Sequence, residues 1–464
     1  MKNILSKKAI LPIWIISIAI LFTSCDSFTE VDLPESQLSA DAVFEDRVTA
    51  NAAMTDIYTK MRDNGLFTGQ FTGLSNQLGL YSDELTSYYN PGSLSFNFGN
   101  NALQASGTEI AQLWNSSYSQ IYAANAVIEG VDHSVYLPEP DRNQLKGEAL
   151  FVRALIHFYL VNSFGGVPYI STTNYAANRI AHRTAENDAL LLVKSDLEQA
   201  IALLPESYSS PERVRPNRYA AYAMLARVNL YLHLWDEASD ATSAVLNQTD
   251  VYVWENDLDK IFLKESTTTI WQLMPAMMGD NTKEAKTFMF FTGPPPSSSL
   301  SPTILNAFEA NDQRKGHWTK MITKGVNSWS HAYKYKAFSN TGSSVEYSIV
   351  LRLAEQYLIR AEARAQQGDL IGAKEDLNKI RNRAGLGDTP ATSSTEIITA
   401  VLKERQTEFF CEFGHRFFDL KRNGLLDTAL SPVKPGWNTA DRLLPLPQKE
   451  LLLNPNLAPQ NDSY

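Results

Sequence analysis

Residues 222–238, YAMLARVNLYLHLWDEA, and residues 357–373, YLIRAEARAQQGDLIGA, carry the same three anchors at the same places. Tyr222, Ala226 and Ala238 of the first stretch recur as Tyr357, Ala361 and Ala373 of the second. Each stretch holds a turn, Leu234-Trp235-Asp236-Glu237 in one and Gln367-Gly368-Asp369-Leu370 in the other. Small residues twelve apart, one on each arm of a helical hairpin, let two antiparallel helices approach closely. That is the logic of tetratricopeptide repeats. The spacing predicts a mainly α protein built on a tetratricopeptide-like scaffold of helical hairpins.

The flanking sequence supports helices. Residues 42–61 place Val43, Ala50, Met54, Ile57 and Tyr58 at helical spacings. The signal returns over 108–131 and 143–163. In the latter, Phe151, Leu155 and Phe158 form one stripe, and Ala149, Val152, Ile156 and Leu160 form another. Two stripes mean burial on two sides, as in a stacked helix array. Gly165-Gly166-Val167-Pro168 ends this helix, and a further one over 185–204 stops at Pro205. Between these elements the periodicity fades over 63–107. It fades again over 251–347, where short β-prone pieces at 268–273 and 288–291 sit among Pro294-Pro295-Pro296 and a run of serines. Another loop-rich stretch covers 424–441. Long irregular stretches inside a compact protein are usually functional or disordered. The design is a helical scaffold carrying large irregular insertions.

At the other end of the chain, Lys2, Lys7 and Lys8 precede an apolar run over 9–22, followed by Thr23-Ser24-Cys25-Asp26. A basic start, an apolar segment and small residues before a cleavage point make an export signal. The run is about 14 residues long and holds Pro12; a spanning helix needs about 20. The Cys25 sulfur can take a diacylglyceryl thioether, and the triplet before it resembles a bacterial lipobox with Phe22 in place of the usual leucine. The expected organisation is therefore a signal peptide over 1–24, a lipidated Cys25, and an acidic tether over 25–40. One domain follows over 41–464, its halves meeting near residue 250.

Losing the three signal lysines takes the formal charge from −10 to −13, which argues against nucleic acid and against a basic membrane-binding face. Cys411 is the other cysteine, so neither an internal disulfide nor a thiolate metal cluster is available. Aromatics make up 11% of the chain, a supply that serves both a core and a sugar-binding surface.

Local signatures of catalysis are missing. The sequence has no H-E-x-x-H pair, no G-x-S-x-G turn and no phosphate loop. The seven histidines lack ligand spacing, and His157 and His233 are expected to be structural residues within helices. Asp83-Glu84 could be imagined as an acid/base pair, but adjacent carboxylates point different ways and glycosidase pairs usually lie far apart in sequence. No catalytic residue, metal site or cofactor is expected.

Several longer motifs follow one another in order. They are Trp114, Tyr118, Ile121, Ala124-Asn125 and Ile128; then Glu148-Ala149-Leu150-Phe151-Val152-Arg153-Ala154 through Phe164-Gly165-Gly166-Val167-Pro168. Ala307-Phe308-Glu309-Ala310-Asn311-Asp312-Gln313-Arg314 comes next, then Glu404-Arg405 and the run from Glu412-Phe413-Gly414-His415-Arg416 to Asp419-Leu420-Lys421-Arg422. The chain closes on Leu444-Pro445-Leu446-Pro447, Asn454-Pro455-Asn456-Leu457 and Gln460-Asn461-Asp462-Ser463-Tyr464. From Cys25 to Tyr464 this set resembles the SusD/RagB glycan-binding lipoproteins of the Bacteroidetes outer membrane. Gln313 departs from the usual Asp-Pro-Arg, and Ser463 stands where glycine is common. Most of these residues are expected to be structural. Arg405 and Arg416 among Glu404, Glu408, Glu412 and Asp419 suggest a buried charge network fixing the last helix.

The resemblance implies a lipid-anchored, palmitate-bearing outer-membrane protein facing outward. Such proteins capture a polysaccharide or oligosaccharide and act as the lid of a SusC-like TonB-dependent transporter, without chemistry on the sugar. A surface polysaccharide-degrading enzyme, or a repeat-type adaptor without sugar binding, is the alternative. Sugars are held by flat aromatic faces and by polar groups on an exposed platform, so the candidates lie in the irregular insertions. They are Tyr81, Asp83, Tyr88, Tyr89 and Asn90 in the first and Trp318, Trp329 and Tyr333 in the second. Core packing is the alternative role for each aromatic, and Asp83 could instead cap the following turn. Residues 311–336 also gather Arg314, Lys315, Lys320, Lys324, Lys334 and Lys336 against the single acid Asp312. Such a basic patch beside Trp318 and Trp329 suits an anionic glycan, sulfated or uronate-bearing, with Lys315, Lys320 and Lys324 as contacts to its charged groups.

Overall fold

The computed structural model describes residues 40–464. Cys25, the signal segment and the tether up to residue 39 lie outside the described residues. The longer helices are α1 (Arg47–Asp63), α2 (Leu74–Tyr81), α3 (Thr108–His133), α4 (Glu139–Phe164), α5 (Glu186–Leu203), α6 (Arg218–Tyr231), α7 (Trp235–Leu246), α8 (Leu353–Gln367), α9 (Leu370–Arg383), α10 (Ser394–Glu408) and α11 (His415–Arg422). From α3 to α9 each helix packs on the next, and α7 packs directly on α8 although more than a hundred residues separate them. The second insertion therefore leaves the helical array unbroken, as a tetratricopeptide-like scaffold requires.

The repeat anchors do what their spacing predicts. Ala226, Ala238, Ala361 and Ala373 are all fully buried between the arms of the α6–α7 and α8–α9 hairpins. Gly368 makes the α8–α9 turn at φ +86°, a left-handed conformation glycine adopts without a Cβ penalty. Asp369 then caps α9, its carboxylate accepting from the Gly372 N–H at 2.9 Å. In α4 the two apolar stripes extend to complete enclosure: every residue from Gly147 to Phe164 is buried. Within it His157 is held neutral, burial pushing its imidazole down to about 3. The Ile170 N–H donates to its Nε2 at 3.1 Å, and its Nδ1 lies 2.9 Å from the Arg153 carbonyl, so His157 is structural. His233 is not helical: it stands in the α6–α7 turn with φ +58°.

Among the described residues the strands pair as three antiparallel two-stranded sheets. They are β1 (Leu85–Ser87) with β3 (Ser298–Leu300), β2 (Thr269–Leu273) with β6 (Ser348–Arg352), and β4 (Thr319–Lys324) with β5 (Asn327–Ala332). The β-prone piece at 268–273 is thus β2, whereas 288–291 is no strand: Phe288 ends the short helix Lys283–Phe288. The first insertion is less irregular than its composition suggests, because α2 forms within it and all eight of its residues are buried.

Between the second insertion and α10 lies a buried ion cluster. Arg314 reaches Asp312 at 2.8 Å, Glu404 at 2.6 Å and Glu408 at 3.0 Å. Arg352 reaches Glu408 at 2.5 Å and Glu412 at 2.9 Å, Lys334 reaches Glu412 at 2.5 Å, and Arg383 pairs with Glu408. Buried ions must be paired or their lost hydration destabilises the fold. Glu404, Glu408 and Glu412 therefore take their cations from three distant parts of the chain and fix the insertion to the scaffold. Arg405 pairs with Asp419 at 2.7 Å, and Arg416 turns instead to Asp83.

Candidate functional site

Three of the residues expected at a glycan platform belong to the interior. Tyr81 ends α2 and is fully enclosed, its ring 5.7 Å from Phe98 and 5.6 Å from Phe417. Asp83 does not cap the following turn: Arg416 grips its carboxylate with Nε at 2.9 Å and Nη2 at 2.7 Å. Trp318 is also enclosed, donating its indole N–H to the Leu258 carbonyl at 3.0 Å. It shares a helix face with Arg314 four residues earlier, so the pull of the ion cluster on Arg314 carries Trp318 inward. The neighbouring Glu84 is buried too, and burial with the Asp83 charge pushes its carboxyl up to about 8.

The remaining candidates reach the surface on two adjoining structures, with Tyr88 and Asn90 exposed and Tyr89, Trp329 and Tyr333 half-buried. In the first, Tyr88, Tyr89 and Asn90 follow β1, and the Tyr88 N–H donates to Ser297 at 2.8 Å, prolonging the β1–β3 pairing. Tyr88 and Asn90 are exposed; Tyr89 is half-buried, with the Asn76 amide donating to its hydroxyl at 3.4 Å. The second is the β4–β5 hairpin. Its register sets Lys320 opposite His331, Ile322 opposite Trp329 and Lys324 opposite Asn327. Directly opposed side chains share a face, so Lys320, Lys324, Trp329 and His331 lie on one side. Tyr333 continues that side, with the Lys320 ammonium 5.0 Å and the Lys336 ammonium 5.3 Å from its ring centre. His331 itself is buried and held below its ordinary pKa by that burial, so it contributes packing rather than charge.

The loop between Lys283–Phe288 and β3 joins the two structures. In its middle Gly293 passes over Trp329 so closely that a Cβ there would lie 2.1 Å from the indole, and glycine is required. Phe290 meets His331 at 5.0 Å, and the exposed Phe291 meets Phe338 at 5.0 Å. Pro296 and Ser297 at its far end line a shallow pocket of about 460 Å³ with Phe71, Tyr89 and Lys286 of the preceding helix. Phe71, Lys286 and Phe291 are surface residues that sequence reasoning missed. For Phe71 the one local signal is its place among glycines and threonines, Thr68-Gly69-Gln70-Phe71-Thr72-Gly73.

The basic patch divides in two. Arg314 and Lys334 are buried in the ion cluster, and Lys336 is drawn to Asp259 together with His317. Lys315, Lys320 and Lys324 remain exposed and form no ion pair among the described residues. Among the described residues, no group of three His, Cys, Asp or Glu is placed to hold a metal ion, and no helix is long and apolar enough to cross a membrane.

Comparison with known proteins agrees with this architecture. Residues 38–230 match a family model described as starch-binding associating with outer membrane, and residues 303–464 match the SusD family model. Two relatives from Formosa agariphila are SusD-like protein P25 and SusD-like protein P2. The first is 23% identical over 94% of this chain and 95% of its own length; the second is 27% identical over 76% and 81%. Among solved structures, a SusD superfamily protein from Bacteroides vulgatus covers 90% of this chain and 99% of its own, with TM-score 0.78 and 20% identity. A laminarin binding SusD-like protein gives the same coverage, with TM-score 0.73 and 22% identity. With a SusD-type model matched in each half and the same helical architecture throughout, the chain is a SusD/RagB-like protein.

Proposed function

We propose that the protein is a cell-surface glycan-capturing lipoprotein, anchored through Cys25, that delivers its ligand to a SusC-like TonB-dependent transporter and closes over it as a lid. The family is a carbohydrate-binding, outer-membrane-associated one. The observation that carries the reading is the β4–β5 hairpin, which presents Trp329 and Tyr333 beside the unpaired Lys320 and Lys324 on one face. Aromatic faces suit the C–H surfaces of sugar rings. Lysines without ion-pair partners suit sulfate or carboxylate groups, to which charge-assisted bonds are strong. The ligand is accordingly an anionic polysaccharide, sulfated or uronate-bearing. The adjacent carboxylates Asp83 and Glu84, considered above as an acid/base pair, are enclosed, with Asp83 neutralised by Arg416, which disfavours that pair as the catalytic machinery of an enzyme.

Affinity electrophoresis tests this: the protein is run through native gels carrying laminarin, polygalacturonate or carrageenan, and each mixture is assayed for new reducing ends. The reading predicts retardation by an anionic gel with no reducing ends released. Retardation by laminarin alone would overturn the anionic ligand, and reducing ends would overturn the binding role. No retardation in any gel, with a large β-barrel co-purifying from outer membranes, would favour the adaptor.

A further inference from the structure

A second groove, sharing no residue with the hairpin face, is built on α3. Asn115, Tyr118 and Tyr122 recur at three- and four-residue steps and so lie along one face of that helix. Residues 168–180 are tied down alongside it. The Tyr118 hydroxyl donates to the Pro168 carbonyl at 2.9 Å, the Asn125 amide to the Ile170 carbonyl at 3.1 Å, and the Thr173 N–H to the Glu129 carboxylate at 2.8 Å. The C-terminal segment forms the other wall, fixed by the Asn454 amide on Ala181 and the Asn456 amide on Ile180, each at 2.8 Å. They enclose a groove of about 730 Å³, within the usual range for a ligand site.

Its lining combines two kinds of group. Tyr122 is 53% exposed and Tyr175 76% exposed, so both offer open ring faces. Asn115, Arg179 and Glu450 also line it, and their side chains make no hydrogen bond or ion pair among the described residues. A protein docking on this groove would strand those donors and acceptors away from water, which is unfavourable. Sugar hydroxyls donate and accept, and so meet all three. One arginine and one glutamate leave the groove without net charge, unlike the lysine-bearing hairpin.

We propose that this groove is a second oligosaccharide-binding site, taking a neutral segment of glycan between Tyr122 and Tyr175 with Asn115, Arg179 and Glu450 on its hydroxyls. The inference rests on the carbohydrate-binding reading but not on the hairpin face. Hydroxyl-radical footprinting of the full chain tests it, with laminari-, malto-, cello-, xylo- and mannohexaose as probes. At least one hexaose should protect Tyr122 and Tyr175, and do so equally in the Trp329→Ala/Tyr333→Ala variant. The Tyr122→Ala/Tyr175→Ala variant changes only exposed side chains and should keep its melting temperature, yet lose affinity for that hexaose on the order of tenfold. Unchanged labelling of both tyrosines with all five probes would overturn the proposal, as would undiminished affinity in the double variant. In either case, continued retardation by anionic gels would leave the hairpin reading standing.

Discussion

Replacing Glu408 by glutamine removes one charge from a cluster in which Arg314, Lys334, Arg352, Arg381 and Arg383 face the carboxylates of Asp312, Glu404, Glu408 and Glu412. Arg314 keeps Asp312 and Glu404, and Arg352 keeps Glu412. Arg383 has Glu408 as its sole ion-pair partner among the described residues, and its Nε and Nη1 already lack hydrogen bonds. Glu408→Gln therefore leaves a fully buried guanidinium without a counter-charge, a change that costs about 3–5 kcal/mol. Equilibrium urea unfolding by far-UV circular dichroism at pH 7 measures this loss. Arg383→Met should cost less, because Glu408 keeps two arginines. The double variant should then be at least about 1 kcal/mol more stable than the sum of the single losses, since the two residues are in contact. The three arginines hold the Glu408 carboxyl well below its usual 4.5. Its contribution is thus full above pH 4.5 and lost as pH falls further, so the deficit of Glu408→Gln should shrink on acidification. A loss under about 1 kcal/mol, or strict additivity with Arg383→Met, would refute the reasoning.

Other expectations can be checked as directly. Glu84 ionises near 4.5 when unfolded but near 8 in the fold, so its contribution is present below pH 4.5 and lost as pH rises through 8. Between pH 5 and 8 the wild type should lose stability relative to Glu84→Gln by up to about 1.4 kcal/mol per pH unit; a constant difference in melting temperature would contradict this. Lys320→Ala/Lys324→Ala should weaken retardation by polygalacturonate and flatten its salt dependence while leaving laminarin retardation unchanged. Cys25→Ala should move the protein from the membrane to the soluble fraction, with its gel retardation intact; retention in the membrane would count against the anchor.

The scaffold was legible because its signals are local. Ala226 and Ala238 lie twelve residues apart whatever surrounds them, and the all-round apolarity of α4 predicts its enclosure. Which candidates reach the surface was only half legible, because exposure there is decided at long range. Trp318 and Trp329 sit eleven residues apart in one polar stretch, yet only Trp318 is drawn under Arg383 and against Leu258. Tyr81 is enclosed by Phe417 and Trp437, and Asp83 is taken by Arg416, all from the far end of the chain. The β4–β5 hairpin escaped notice because Thr319–Lys324 and Asn327–Ala332 lack an apolar face, and its turn at Gly325-Val326 is a single weak cue. The same polarity left Lys320 and Lys324 free while Arg314 and Lys334 were absorbed by the ion cluster.

The central claim is that Trp329, Tyr333 and the lysines beside them form the glycan-capturing face. Calorimetric titration of the wild type and of Trp329→Ala/Tyr333→Ala with polygalacturonate and carrageenan oligosaccharides tests it most directly. The account predicts saturable binding of an anionic oligosaccharide by the wild type and a loss of at least about tenfold in the variant, with its fold intact. Equal affinity in the two proteins would contradict it.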